Sequence, residues 1–159
     1  MYEYLLPMVI NKYNVISLPE LEADDTCRII FEDNKNFAGE KIIVTIDKDF
    51  YSVPCNLYRD NPKDRTIVKV SEEDARINEF IQVIMGDKTD GYCGIPNYGE
   101  VKARKFVTKD TTIEDIIKLY EDNGLKEEDA ILNYNMAHIL SINEYDLEGQ
   151  RVIPFRKDS

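Results

Sequence analysis

Hydrophobic positions in the first seventy residues switch between helical and strand-like spacing. Apolar residues recur at helical spacing between residues 5 and 13, and residues 23–31 predict a second helix with an acidic first turn. Residues 41–46 form a continuous, largely β-branched run that is typical of a buried parallel strand. Two further β-rich segments follow at residues 55–59 and 66–70. These patterns predict strands and helices that alternate up to residue 70.

Helical patterns dominate after residue 70. Ser71 and Thr112 are helix-start signals, because each precedes acidic residues and then apolar positions at helical spacing. The predicted helices cover residues 71–86, 100–107, 112–124 and 127–140, and a short extended tail follows at 152–155. The predicted fold class is therefore α/β: a partial parallel sheet flanked by helices over residues 1–70, followed by a helical lobe over residues 71–159.

Composition narrows the class of protein. The chain has 159 residues and is 43% hydrophobic, which fits one domain or a compact two-lobed unit and excludes a disordered or fibrous chain. No apolar stretch is long enough to span a bilayer, and the first residues lack the basic region of a signal peptide. The three cysteines, Cys27, Cys55 and Cys93, argue against a disulfide scaffold and a Cys-based zinc site. We expect a cytoplasmic protein with no membrane partner.

The net charge of −11 argues, when taken alone, against nucleic acid as a partner. Phosphate binding depends on Lys and Arg, which are outnumbered here by Asp and Glu, 20 to 31. The acidic excess is not uniform, however, because residues 86–109 contain five basic and three acidic side chains. A local basic surface therefore remains compatible with the overall charge.

Three acidic clusters follow predicted element ends. Their carboxylates belong to Glu22, Asp24, Asp25, Asp47, Asp49, Asp87 and Asp90. Each cluster alone has an ordinary interpretation as a helix cap or a turn. Together they suggest a site at the carboxyl end of the sheet, where open α/β folds place ligands. Oxygen donors without nearby His or Cys suit Mg²⁺ or Mn²⁺, and two such ions would offset the repulsion among seven carboxylates and catalyse phosphoryl transfer.

A glycine hairpin between residues 91 and 99 is followed at once by a basic helix. Glycine turns let backbone amides approach a phosphate, and the start of the next helix adds a positive dipole. Lys102, Arg104 and Lys105 could then reach neighbouring phosphates. The alternative is a plain connection between two helices with a solvated basic face.

At these motifs the sequence resembles the 5′-nuclease superfamily, the flap endonucleases and 5′→3′ exonucleases of phages and bacterial DNA polymerases. The motifs occur in the family's order: LEADD at 21–25, IVTIDKDF at 43–50, and MGDKTDG at 85–91, which leads into GIPNYG at 94–99. The resemblance spans roughly residues 1–145. It implies a PIN-like nuclease core over residues 1–70 and, within 71–159, a helix–three-turn–helix element that binds duplex DNA.

The resemblance also implies roles for particular residues. Glu22 and Asp24 would serve the ion that activates the attacking water, and Asp25 the second ion. Asp47, Asp49, Asp87 and Asp90 would complete the second site, so that hydrolysis leaves a 5′-phosphate and a 3′-hydroxyl. The residues that match the DNA-binding element are Gly94, Ile95, Asn97, Tyr98, Gly99, Lys102, Arg104 and Lys105. In the family, hairpin carbonyls often hold a K⁺ ion.

The sequence also departs from the family pattern. The family's first strand, with its catalytic Asp, and its helical arch are not found ahead of the Glu22 motif. Asn97 stands where glycine is usual, which left-handed backbone angles of Asn would allow, and Tyr98 stands where an aliphatic residue is usual.

Three hypotheses follow from this comparison. The chain is a C-terminal nuclease portion that cuts duplex or 5′-flapped DNA when an N-terminal nuclease polypeptide is supplied. It is an inactive DNA-binding module that keeps the hairpin. Or it is an acidic metal-binding or protein-interaction domain.

Two further residue types have predicted roles. His138, the single histidine, lies on a predicted amphipathic helix and is expected to be structural rather than catalytic. Of the ten tyrosines, Tyr92 and Tyr98 are the two expected near DNA.

Overall fold

The computed structural model describes residues 2–59, 65–153 and 155. Its helices are α1 (Tyr2–Lys12), α2 (Ala23–Glu32), α3 (Glu72–Met85), α4 (Glu100–Phe106), α5 (Ile113–Asp122) and α6 (Glu127–Ala137). Its strands are β1 (Ile43–Thr45), β2 (Asn56–Arg59), β3 (Ile67–Lys69), β4 (Gly86–Asp87), β5 (Tyr92–Cys93), β6 (Tyr145–Asp146) and β7 (Arg151–Val152). Short 3₁₀ turns occupy Asp49–Ser52 and Ile142–Glu144. The mixed α/β class predicted from the sequence is confirmed.

The larger sheet has the order β1-β2-β3. β1 and β2 pair in parallel, with Ile43 opposite Leu57 and Thr45 opposite Arg59, while β3 joins β2 antiparallel. Parallel pairing of β1 and β2 directs their carboxyl ends to the same edge of the sheet. The residues after β1, including Asp47 and Asp49, therefore lie at that edge.

The prediction that residues 41–46 form a buried parallel strand is confirmed for the parallel pairing of β1 and wrong for the burial. Ile43 is buried, but the side chains of Val44 and Ile46 are 66% and 75% exposed. Side chains along a strand point alternately to opposite faces, and among the described residues only the Ile43 face packs into a core. The apolar run therefore gives β1 a second apolar face, which none of the described residues covers.

Local capping chemistry explains where two of the helices begin. The Ser71 hydroxyl accepts a hydrogen bond from the Asp74 amide at 3.1 Å, and the Thr112 hydroxyl accepts one from the Asp115 amide at 3.3 Å. Such contacts satisfy backbone donors that the first helical turn leaves unpaired. The predicted starts of α3 and α5 are confirmed.

The predicted extension of the last helix to residue 140 is wrong. α6 ends at Ala137, because the next residues leave the helix to contact α2. The Leu140 amide donates to Asp25 Oδ1 at 2.8 Å, and the Ile139 carbonyl accepts from Arg28. In the predicted tail, Val152 belongs to β7, and Pro154 lies outside the described residues.

Two hydrophobic clusters form the core. One lies among the helices, around Ile84, Ile116 and Tyr120, and the other surrounds β1 and β2, around Phe50 and Leu57. Helix α3 contributes to both clusters, so it forms a common wall between them. The division at residue 70 stays a prediction. None of the helices in the described part of the chain has the length and apolar character that a membrane crossing requires.

Candidate active site

An acidic cavity of about 480 Å³ opens beyond the carboxyl end of β1. Six of the seven carboxylates singled out above line it: Glu22, Asp24, Asp25, Asp47, Asp49 and Asp90. They come from the start of α2, the segment after β1 and the hairpin after α3. Three segments that are far apart in sequence therefore converge on one cavity.

The start of α2 carries three of these carboxylates: Glu22 is the N-cap, and Asp24 and Asp25 lie in the first turn. Asp25 Oδ2 accepts a hydrogen bond from the Glu22 amide at 3.2 Å, which fixes the entry of the chain into the helix. Asp25 Oδ1 accepts from the Leu140 amide, so both oxygens of this side chain have backbone partners. Asp24 is half-buried beside them, and Glu22 is exposed. The same local pattern that starts the helix thus presents its acids to the cavity.

The segment after β1 carries Asp47 and Asp49. The Asp47 amide donates to Thr45 Oγ1 at 3.0 Å, and Asp47 Oδ1 accepts from the Asp49 amide at 3.0 Å. Asp49 Oδ1 also accepts a hydrogen bond of 2.6 Å from Gln82 Nε2 of α3. The sequence predictions missed Gln82. A signal was present, because Gln82 is the one polar side chain between Phe80 and Met85.

Asp87 does not belong to the cavity lining, which differs from its predicted grouping with Asp90. Its Oδ1 accepts from the Thr89 amide at 2.8 Å, and its Oδ2 lies 3.7 Å from Lys48 Nζ. The Thr89 amide and, more weakly, Lys48 hold the pKa of Asp87 below its ordinary value. Local turn bonding and a neighbouring cation therefore hold this carboxylate outside the cavity lining, although its charge still contributes to raising the pKa of Asp49.

Repulsion between neighbouring carboxylates contributes to raising the pKa values of three acids in the cavity. The charge of Asp24, followed by burial and the charges of Asp25 and Asp90, raises the pKa of Glu22. Burial is the main cause that raises the pKa of Asp24 and of Asp49, and the charge of Asp47 adds to both shifts. A bound cation would reverse these shifts, because it favours the charged carboxylates.

The donor chemistry of the cavity fits hard divalent cations. Carboxylate oxygens are the ligands that Mg²⁺ and Mn²⁺ prefer, and repulsion between neighbouring carboxylates contributes to the raised pKa values of Glu22, Asp24 and Asp49. Within residues 2–59, 65–153 and 155, no three acidic, His or Cys side chains already converge closely enough to hold one ion. Side-chain rotations are therefore needed to complete a metal site.

The glycine hairpin is tightly built. β4 pairs with β5, and the Ile95 amide donates to the Ile84 carbonyl at 2.8 Å. A Cβ atom on Gly94 would lie 2.2 Å from that same carbonyl oxygen, so only glycine fits there. Asn97 has a φ of 64°, the left-handed conformation expected for it. The loop shape is therefore set by backbone packing against the end of α3.

The basic face beside the hairpin is exposed. Lys102, Arg104 and Lys105 of α4 point to solvent, although Arg104 Nε also contacts Glu100 Oε1 at 2.8 Å. Lys102 Nζ lies 5.0 Å from the ring centroid of Tyr98, which is partly exposed. These side chains are therefore accessible to a ligand.

Two residues expected near DNA are not accessible. The side chain of Ile95 is 2% exposed and packs in the helical core, so this residue can meet a ligand only through its peptide groups. Tyr92 is 7% exposed and lines the acidic cavity, which excludes it as a base-stacking residue. Tyr92 and Ile95 are buried in the core because α3 and α6 cover the inner side of the hairpin.

Known proteins with similar sequences are nucleases. The chain is 29% identical to "Exonuclease" of Escherichia phage T7 over 92% of its own length and 59% of the relative's. It is 34% identical to "Exodeoxyribonuclease" of Enterobacteria phage T3 over 57% of its length and 30% of the relative's. It is 28% identical to "5'-3' exonuclease" of Aquifex aeolicus (strain VF5) over 86% of its length and 53% of the relative's.

The chain thus spans about half the length of two of these relatives and less of the third. Neither a protein-family model nor a solved structure matches it. Two of the similarities nevertheless extend over 92% and 86% of the chain. These relatives, which are named as exonucleases, confirm the resemblance to the 5′-nuclease superfamily that the sequence shows.

Proposed function

We propose that the protein takes part in metal-dependent hydrolysis of DNA in the 5′→3′ direction. The observation that carries this proposal is the convergence of six carboxylates from three chain segments on one cavity. The exonuclease names of the phage and bacterial relatives support the same activity. In the reaction, water adds across a phosphodiester bond, which leaves a 5′-phosphate on one product and a 3′-hydroxyl on the other.

The acidic cavity is the proposed metal centre. Glu22, Asp24 and Asp25 come to it from the start of α2, and Asp47, Asp49 and Asp90 come from the segment after β1 and the hairpin after α3. Divalent ions bound there would lower the pKa of a coordinated water and stabilise the developing negative charge of the leaving oxygen. We keep Asp87 as a weaker candidate ligand, because its carboxylate must first break its contact with Lys48 before it can bind an ion in the cavity. Gln82 holds Asp49 in place through its amide group.

The hairpin and α4 form the proposed DNA-binding surface. Lys102, Arg104 and Lys105 would contact phosphates of the DNA. The peptide groups of residues 94–99 would approach the DNA backbone closely, because this loop has few bulky exposed side chains. The carbonyls of this loop are the candidates for K⁺ coordination. Uncompensated carboxylates repel phosphate, so DNA would enter the cavity only after cations occupy it.

We further propose that full activity requires an additional polypeptide segment, and that flapped as well as duplex DNA is a substrate. The exposed apolar face of β1, with Val44 and Ile46, supports this addition because it resembles one half of a core. The T7 exonuclease that the chain resembles is longer, since the chain spans 59% of it. An inactive DNA-binding module is the second candidate function, and the intact hairpin with its exposed lysines favours it.

The experiment is a nuclease assay on 5′-labelled duplex and flapped DNA. Release of nucleotides is measured in Mg²⁺, with and without an added N-terminal nuclease polypeptide. The Mg²⁺-dependent release is expected to disappear in the Asp47→Asn variant. Asp110→Asn is the matched control, because this exposed acid lies outside the cavity. Duplex binding without hydrolysis in either setting would favour the DNA-binding module. Hydrolysis that survives Asp47→Asn would overturn the proposed metal centre.

A further inference from the structure

The His138 side chain lies between two carboxylates that come from different parts of the fold. Its Nδ1 contacts Glu79 of α3, and its Nε2 lies 2.8 Å from Glu144 Oε2. The imidazole is 10% exposed and stacks on Tyr134, with ring centroids 5.3 Å apart. Burial by itself lowers the pKa of the imidazole, but the two carboxylates reverse that effect and raise it. A protonated ring can donate one hydrogen bond to each carboxylate at once.

His138 also begins a segment that runs along α2, and residues 138–144 are called the strap here. The Leu140 amide donates to Asp25 Oδ1 at 2.8 Å, and the Ile142 amide donates to Glu32 Oε2 at 2.9 Å. The strap therefore contacts both ends of α2. It meets the acidic cavity directly at Asp25.

The other contact of His138 leads to the opposite side of the cavity. Glu79 and Gln82 lie three residues apart on α3, which places them on the same face of the helix. Gln82 holds Asp49 through its 2.6 Å hydrogen bond. A continuous series of contacts thus joins Asp25 to Asp49 through the strap and α3.

Stability alone does not explain why His138, Glu79 and Glu144 form a partly buried ion cluster. Burying charges carries a desolvation penalty that often cancels the attraction between them, and apolar residues in their place are frequently as stable. The strap has the alternative of packing on α3 through apolar side chains, as Ile139 already does in the core around β1. The ion cluster instead defines one particular position for the strap, because two directional bonds fix the ring.

We propose that His138 is a positioning residue: by holding Glu79 and Glu144 together, it sets the Leu140 amide against Asp25 and so sets the spacing between the α2 carboxylates and Asp49. His138 lines the cavity, but both of its ring nitrogens contact carboxylates, Glu79 and Glu144, so neither is free for a bound ion. Its effect on metal binding rests on the proposed function, whereas its effect on the Leu140–Asp25 contact does not.

The test compares His138→Gln with Val107→Ala, a core substitution in the helical lobe away from the cavity. Amide hydrogen exchange at Leu140 is expected to be at least tenfold faster in His138→Gln. In Val107→Ala, exchange at Leu140 is expected to change only as much as the free energy of global unfolding predicts. Mn²⁺ affinity, measured by the loss of the free-ion electron paramagnetic resonance signal, is expected to fall about tenfold in His138→Gln alone. Failure of the unaltered chain to bind Mn²⁺ would contradict the proposed function, and the exchange result would still decide the role of His138.

A conservative pair of variants separates positioning from folding. Glu79→Gln keeps an oxygen that can accept from the imidazole, so Leu140 protection and Mn²⁺ affinity should stay within threefold of the original. Glu79→Ala removes that acceptor and should reproduce His138→Gln. Equal Leu140 exchange in Glu79→Gln and Glu79→Ala, or exchange in His138→Gln that matches Val107→Ala at equal stability, would overturn the proposal.

Discussion

Gln82 Nε2 donates a 2.6 Å hydrogen bond to Asp49 Oδ1 and thereby connects α3 to the acidic cavity. The two residues are 33 positions apart in the chain. The contact depends on the packing of α3 against the turn at Asp49–Ser52. It gives a proposed metal ligand one orientation before any ion arrives.

Gln82→Leu should therefore weaken catalysis more than folding. A hydrogen bond to a charged group contributes about 1.5–3 kcal/mol, so nucleotide release should slow by about tenfold to a hundredfold. Asn78→Leu is the matched control, because Asn78 donates from the same helix to the Tyr51 carbonyl of the same turn but contacts no proposed ligand there. Steady-state rates and circular dichroism check this. Equal loss of activity in both variants would contradict a specific role for Gln82.

Metal binding should stabilise the protein by relieving carboxylate repulsion. At a Mg²⁺ concentration about a hundredfold above the dissociation constant, stabilisation is about 2.7 kcal/mol, which corresponds to about 5–11 °C in melting temperature. Asp24→Asn should melt higher than the original chain in EDTA, because the pKa of Asp24 is raised by burial and by neighbouring acids. The same variant should lose most of the Mg²⁺ effect. Asp110→Asn should change neither value in a thermal melt.

Stability should depend on pH through the His138 cluster. Burial lowers the pKa of His138, but the carboxylates of Glu144 and Glu79 outweigh this effect and raise the pKa to about 9. Because this value exceeds the ordinary 6.5, the stabilisation is complete below pH 6.5 and is lost as pH rises through 9. Burial raises the pKa of Glu144, but hydrogen bonds from His138 and Ser141 outweigh it and lower the value to about 2. That contribution is complete above pH 4.5 and is lost as pH falls through 2.

Urea unfolding of His138→Gln should show the largest loss of stability between about pH 4.5 and 6.5, on the order of 3 kcal/mol. The difference from the original chain should shrink by pH 9.5. Val107→Ala, which removes only apolar contacts, should show a difference that does not change with pH in this range. A constant difference for His138→Gln would show that the ring acts through packing alone.

The basic face beside the hairpin should contribute to DNA affinity through charge. Lys102→Ala and Arg104→Ala are each expected to weaken duplex binding and to lower the slope of log affinity against log salt by about 0.9. Lys118→Ala, an exposed lysine on α5, is the control and should leave the slope unchanged. Fluorescence anisotropy over a salt series measures both quantities. Unchanged slopes for the α4 variants would place the DNA contact elsewhere.

The hairpin should tolerate a methyl group at one glycine and not at another. In Gly94→Ala the new Cβ would lie 2.2 Å from the Ile84 carbonyl oxygen, so backbone must shift. We expect a loss on the order of 3 kcal/mol in the free energy of unfolding. Gly99→Ala meets nothing within 4 Å and should cost about 1 kcal/mol or less, because Gly99 is the N-cap of α4 and Ala is less favourable there. Similar unfolding midpoints for the two variants would contradict the close approach described here.

The sequence by itself determined the features that depend on neighbouring residues. The caps at Ser71 and Thr112, the left-handed Asn97 and the acidic first turn of α2 follow from local hydrogen bonding and backbone sterics. Interactions within a few residues do not depend on the rest of the fold, so they can be read from the chain. The order of the acidic motifs belongs here too, because it is a property of the chain alone and carries the resemblance to the 5′-nuclease superfamily.

Only the tertiary structure decided which side chains share a surface. It brought Gln82 to Asp49, turned Asp87 towards Lys48 and buried Tyr92. It also ended α6 at Ala137, because contacts of the strap with α2 and α3 replace the next helical bonds. These outcomes depend on segments that are distant in sequence and on the balance between burial and solvation where they meet. The periodicity of one segment contains no information about what packs against it.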